Sequence, residues 1–190
     1  MKRFNIRTPD ELELFVELAK KHGGQVNVYH PSFSNAALKN SKLVPDNIDI
    51  ASDPKLAHGM VKQKDMSKAM EGALRSTTWN EGGWCVAVIA VAQDSEPERP
   101  HAHIALAEFG KPSRFGEIWK EKNGRVFKNA WRDDRHETME LGDGLSESEY
   151  IAQKHKVRNT SRVYAPRMAN PPEDFIRFYD SLCESFETNT

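Results

Sequence analysis

Two neighbouring stretches of the chain carry strand patterns, and the short segment between them favours an antiparallel pair. Trp84 to Val91 is a continuous apolar run rich in valine, which is typical of a buried strand. His101 to Phe109 alternates in the way that a strand does. The polar segment from Gln93 to Pro100 contains two prolines and predicts a turn. We therefore expect an antiparallel sheet that contains this hairpin.

Helix patterns lie on both sides of the hairpin in the sequence. Thr8 and Glu11 form a capping box, and apolar residues at helical spacing follow them. A second apolar stripe at helical spacing runs from Met66 to Leu74. Ser146 begins another helix, and the last helix begins within residues 170–173. The order of elements predicts an α+β fold, an antiparallel β-sheet with flanking helices.

The less regular parts of the chain give three further expectations. Pro31 is expected to end a short strand, because proline has no N–H to donate. Residues 35–64 carry prolines and many polar side chains and predict loops with short elements at most. The Asn123–Gly124 pair, with residues 117–122 and 125–129 on its two sides, predicts a second hairpin.

The composition is that of an ordinary globular protein. With 190 residues and a formal net charge of −1, the chain is long enough for one compact domain and shows no overall attraction to polyanions. The amino terminus does not resemble a signal peptide, and the longest apolar run is too short to span a bilayer. The two cysteines lie far apart, so we expect free thiols in a reducing, cytoplasmic compartment.

One residue separates His101 from His103 within the second strand of the hairpin. Side chains at i and i+2 of a strand point to the same face, with their roots about 6–7 Å apart. Ala102 and Ile104 are then expected to face the core. Two neutral imidazoles that converge in this way suit a metal ion or an acid–base pair.

The sequence around this pair resembles the HUH endonucleases, which include rolling-circle replication initiators and relaxases. In that family a histidine–hydrophobe–histidine motif lies on a central strand, often after Arg-Pro or Glu-Pro, and Arg99-Pro100-His101-Ala102-His103 is similar. A later helix carries a tyrosine and, about one turn on, a lysine, and Tyr150-Ile151-Ala152-Gln153-Lys154 looks like that motif. The resemblance covers roughly residues 25–158.

The resemblance implies a metal-dependent nicking and joining of single-stranded DNA. His101 and His103 would hold Mg²⁺ or Mn²⁺, which polarises the scissile phosphate. Tyr150 would attack phosphorus, and Lys154 would offset charge near the phosphate or help to activate the tyrosine. The third metal ligand is expected in the turn before the pair, with Gln93 at the family's position and Asp94 and Glu96 as alternatives. We expect a single domain over residues 1–190, with an N-terminal helix in 1–24, the HUH-like core in 25–158 and a C-terminal helix in 168–190.

Two other functions fit parts of the same sequence. Two-histidine phosphoesterases use paired His-x-Thr/Ser motifs as acid and base, and the candidate motifs begin at His30, His101 and His136. A non-enzymatic phage or plasmid accessory protein that binds nucleic acid or another protein is the third reading. Basic residues interleaved with aromatic ones suit single-stranded nucleic acid. The segment that includes Phe115 and Phe127 has this character, and its candidate contacts are Arg114, Trp119, Lys120, Arg125, Lys128 and Trp131.

Overall fold

A sheet of five antiparallel strands, counted over the described residues, organises the fold. The computed structural model describes residues 5–81, 84–91, 101–128, 148–149, 151–152, 161–166 and 170–187. The strands are β1 (Gln25–Phe33), β2 (Trp84–Val91), β3 (Ala102–Phe109), β4 (Gly124–Lys128) and β5 (Arg162–Tyr164). They lie in the order β4-β1-β3-β2-β5, and every neighbouring pair is antiparallel. The predicted α+β fold is confirmed, and the predicted hairpin supplies β3, the central strand.

Helices cover both faces of this sheet. They are α1 (Pro9–Lys21), α2 (Asn35–Asn40), α3 (Pro54–Gly59), α4 (Gln63–Glu81), α5 (Phe115–Lys122) and α6 (Glu173–Glu187). On one face, α1 and α6 meet the sheet through the rings of Phe15, Phe109 and Phe178. On the other face, α4 and α5 bury Met70 and Trp119. No helix within the described residues is long and apolar enough to cross a membrane.

The amino-terminal helix begins where the sequence predicts. The Thr8 hydroxyl accepts a hydrogen bond from the Glu11 amide at 3.2 Å, and the Glu11 carboxylate accepts one from the Thr8 amide at 3.3 Å. This reciprocal pair satisfies amide groups that have no partner inside the helix. The expectation for residues 35–64 is also confirmed, because α2 and α3 each have only 6 residues.

The second predicted hairpin is wrong on one side. Residues 117–122 belong to α5, and the strand on the other side, β4, begins at Gly124 itself. Phe115, Ile118 and Trp119 recur at helical spacing, and all three are buried against the sheet. Burial of this helical face prevails over the local turn preference of the Asn–Gly pair.

The prediction that Pro31 ends its strand is also wrong. β1 continues to Phe33, and Pro31 stands opposite Val126 of β4. The regular ladder between β1 and β3 is interrupted beside Pro31, as expected for a residue that has no N–H. Pairing resumes at Ser32, so the strand is held from both sides across the proline.

Gly124 adopts a backbone conformation that other residues rarely adopt. Its φ is +130°, and a Cβ placed there would lie 2.3 Å from the Ser34 nitrogen. We expect Gly124→Ala to lower the free energy of unfolding by at least about 2 kcal/mol, because backbone strain and a steric clash add together. Gly72 of α4 is the matched control, since nothing lies within 4 Å of a Cβ there. Gly72→Ala should stabilise the protein by about 0.5–1 kcal/mol. Urea denaturation measures both, and equal effects would contradict this account.

Candidate functional site

The register between β1 and β3 brings a third histidine to the predicted pair. The isolated bridge between Ser32 and His101 continues the register of the β1–β3 ladder. His30 therefore stands opposite His103. Residues directly opposite in an antiparallel pair project to the same face, and so do residues two apart along one strand. The three imidazoles consequently share one face of the sheet, which we call the histidine face.

Two cross-strand rows build this face. Neighbouring strands lie about 4.7–4.9 Å apart, so members of a row are close neighbours. The first row runs across four strands and contains Phe127, His30, His103 and Ala90. The second row contains Arg125, Ser32 and His101.

The three imidazole rings contact one another edge to face. The ring centroids of His30 and His103 lie 4.6 Å apart, and those of His101 and His103 lie 5.2 Å apart. His103 is the middle ring and is only 6% exposed, whereas His30 and His101 are half-buried. The outer two residues are thus partly exposed to solvent, while the protein surrounds the central one.

The donor set of this cluster suits some metal ions better than others. Within the described ranges, no three His, Cys, Asp or Glu side chains already surround a single metal position. The edge-to-face rings would have to rotate about their side-chain torsions to point three nitrogens at one ion. Three imidazoles are a poor match for Mg²⁺, which demands oxygen ligands, and a better one for a transition-metal ion. Of the two expected ions, Mn²⁺ therefore fits better.

The helical residues that follow Tyr150 pack on the histidine face. Ile151 is fully buried and Ala152 is 3% exposed, and both belong to the core cluster that contains Val28 and Ala105. Val28 lies two residues before His30 on β1. Because side chains two apart on a strand share a face, this core cluster and the histidines occupy the same side of the sheet.

Several predicted site residues lie outside the described residues. They include one proposed metal ligand, the proposed nucleophile, its neighbouring lysine and one aromatic candidate: Gln93, Tyr150, Lys154 and Trp131. The alternative ligands Asp94 and Glu96 and the third phosphoesterase candidate, His136, also lie outside them. The residues that the structure does bring together are His30, His101 and His103.

Three of the predicted nucleic-acid contacts lie on or beside α5, which packs on the opposite face of the sheet. Trp119 is fully buried, and its indole nitrogen donates to the Ser32 carbonyl at 3.2 Å, so a stacking role for Trp119 is wrong. Arg114, the residue before α5, forms an ion pair with Glu117 of that helix. Lys120 is exposed on the same helix. α5 therefore contributes core packing and surface charge away from the histidines.

The remaining two described candidates, both on β4, project in opposite directions. Arg125 stands opposite Ser32, so it projects from the histidine face. Lys128 stands opposite Tyr29, and its ammonium lies 5.6 Å from the centre of the Tyr29 ring on the other face. Among the described candidates for nucleic-acid contact, Arg125 is the one that shares a face with the histidine cluster.

Two surface pockets lie away from the histidine face. One, of about 510 Å³, is formed by residues of the 35–51 segment. The other, of about 540 Å³, lies between α4 and β2 and includes Arg162, which pairs with Glu71. Neither pocket is lined by a histidine of the cluster, so the cluster lies outside these two pockets.

Comparisons with known proteins add no relative to this description. The chain matches no protein-family model, no curated protein and no solved structure.

Proposed function

We propose that this protein is a metal-dependent nuclease of the HUH type, which nicks and rejoins single-stranded DNA through Tyr150. The observation that carries the proposal is the convergence of two features on one face. His30, His101 and His103 share the histidine face. Ile151 and Ala152, which follow Tyr150 directly, are buried in the core cluster on that same side. A nucleophile-bearing helix and a metal-binding cluster need this common side if they are to act on one phosphate.

The third metal ligand in this proposal is His30 rather than Gln93. His30 lies beside His103 on a neighbouring strand, and imidazole is a stronger ligand than a carboxamide for a transition-metal ion. A divalent ion held there would stabilise the charge that develops on the scissile phosphate. Lys154, four residues after Tyr150, would share its helical face and add positive charge.

The reaction balances without any further reactant. The Tyr150 oxygen forms a bond to phosphorus after losing its proton, and the bond from phosphorus to the 3′ oxygen breaks. The 3′ oxygen takes up a proton and leaves as a free hydroxyl, while the fragment on the 3′ side of the break stays on the enzyme, joined to Tyr150 through its 5′ phosphate. Attack by a 3′ hydroxyl on this ester reverses the step and rejoins the strand.

The test is formation of a covalent adduct on a denaturing gel. The full chain is incubated with Mn²⁺ and a random-sequence pool of single-stranded oligonucleotides labelled at the 3′ end, the part that stays on the enzyme. We expect a labelled band of protein size, its loss with EDTA, and its disappearance in Tyr150→Phe. Tyr164→Phe is the matched control, because Tyr164 lies on β5, beside Ala87 on the face opposite the histidines. Absence of any adduct or nick, or an undiminished adduct in Tyr150→Phe, overturns the proposal.

One observation favours a second candidate, a two-histidine phosphoesterase. His30-x-Ser32 and His101-x-His103 lie antiparallel on neighbouring strands, with Ser32 opposite His101. One imidazole could then act as base and the other as acid on a phosphodiester, without a metal. This candidate predicts hydrolysis of a 2′,3′-cyclic nucleotide that persists in EDTA and in Tyr150→Phe. The proposed nuclease predicts loss of its activity under both conditions, so the two are separable.

A further inference from the structure

An exposed phenylalanine stands at the edge of the histidine face. Phe127 on β4 is 53% exposed, although most phenylalanines of the described residues are buried. Among the described strands β4 lies at an edge of the sheet, and its register with β1 places Phe127 opposite His30. One strand spacing, about 4.8 Å, therefore separates the roots of Phe127 and His30. An exposed aromatic ring thus borders the cluster on its β4 side.

A cationic side chain accompanies this ring on the same face. Arg125, two residues before Phe127, stands opposite Ser32 and beside the row that contains His101. Lys128 projects from the other face, over Tyr29. The carboxylates of the adjoining helix, Glu117 and Glu121, also belong to α5 on that other face. The histidine side of β4 therefore combines an aromatic ring with positive charge.

We propose that Phe127 and Arg125 form a nucleotide subsite that guides a single strand onto the histidine cluster. A base stacks on the Phe127 ring, and the guanidinium of Arg125 binds a backbone phosphate. Aromatic rings accept any base, and arginine binds phosphate without regard to sequence, so the subsite accepts single-stranded nucleic acid generally. The inference deepens the proposed function and rests on it, since it names how that substrate is positioned.

Binding without chemistry tests the subsite. Fluorescence anisotropy with a labelled oligothymidine in EDTA measures affinity whether or not the protein cleaves. We expect Phe127→Ala to weaken binding by about fivefold to a hundredfold, the range for loss of one base–aromatic stack, and Phe127→Trp to retain affinity. Arg125→Ala should weaken binding and lower the salt dependence by about one phosphate contact. Lys128→Ala, the same strand and charge on the opposite face, should change affinity less than twofold.

Controls separate binding from folding. Ile176 of α6 is another exposed apolar residue, 42% exposed, and Ile176→Ala should bind as the wild type does. Thermal unfolding of each variant shows whether it is folded.

Unchanged affinity in Phe127→Ala, or equal losses in Arg125→Ala and Lys128→Ala, overturns the subsite and leaves the nuclease proposal standing. Binding that depends on Phe127, without any adduct in Mn²⁺, supports the subsite and overturns the nuclease. Absence of wild-type binding overturns the subsite.

Discussion

Replacing His103 is expected to abolish Mn²⁺-dependent adduct formation and to weaken Mn²⁺ binding by more than about 100-fold. His103 is the middle ring of the cluster and contacts both His30 and His101. Its loss therefore removes one ligand and separates the other two. A 100-fold effect is the upper end for residues that only support a metal ligand, so a larger one indicates direct ligation. Isothermal titration with Mn²⁺ and the adduct assay measure the two effects.

Matched variants distinguish the loss of a metal ligand from the loss of folding. His103 is buried, so His103→Asn, which retains a polar side chain, accompanies His103→Ala, and thermal unfolding is measured for each. His30→Ala and His101→Ala alter half-buried positions and should each weaken Mn²⁺ binding as well. His22→Ala is the control, since His22 lies at the end of α1 and contacts Ser181 of α6. If His30→Ala binds Mn²⁺ as tightly as the wild type, His30 is not the third ligand.

The sequence predicted the centre of the sheet well because its signals there are local. The apolar run of β2 and the alternation of β3 lie close together, so their pairing needs only a short turn. The common face of His101 and His103 follows from strand geometry alone. The capping box of Thr8 and Glu11 is likewise contained within four residues. Each of these features can be recognised without knowing where distant segments lie.

The position of His30 could not be predicted in the same way. It depends on the register between β1 and β3, and α2, α3, α4 and β2 lie between these two strands in the sequence. A shift of one residue would turn His30 to the other face, and only the packing of both sheet faces fixes that choice. Pro31 also makes the full length of β1 hard to predict, because the pattern around a proline is typical of a strand end. The His-x-Ser pattern at residues 30–32 indicates that His30 is a candidate site residue, but it does not indicate which histidine lies beside His30.

An aromatic residue in a basic segment can either pack in the core or stack on a nucleic-acid base, and Trp119 packs in the core. Its ring is fully buried, with ring centroids 5.6 Å from Phe33 and 6.1 Å from Phe115. Its indole nitrogen also donates to the carbonyl of Ser32. Trp119 therefore holds β1 from the face opposite the histidines, at the residue that pairs with His101. The interleaved pattern alone does not distinguish this packing role from base stacking.

Trp119→Ala is expected to lower the free energy of unfolding by about 3–5 kcal/mol, the usual cost of removing a buried tryptophan. Trp119→Phe should cost less, because a ring remains, although it leaves the Ser32 carbonyl without its indole donor. Lys120→Ala, at the exposed neighbouring position, should change stability by less than about 0.5 kcal/mol. Urea denaturation measures all three. A residue that stacks on a base would show the reverse pattern, weaker oligonucleotide binding with unchanged stability. That result would contradict the core-packing role of Trp119 and support a place in the nucleic-acid interface.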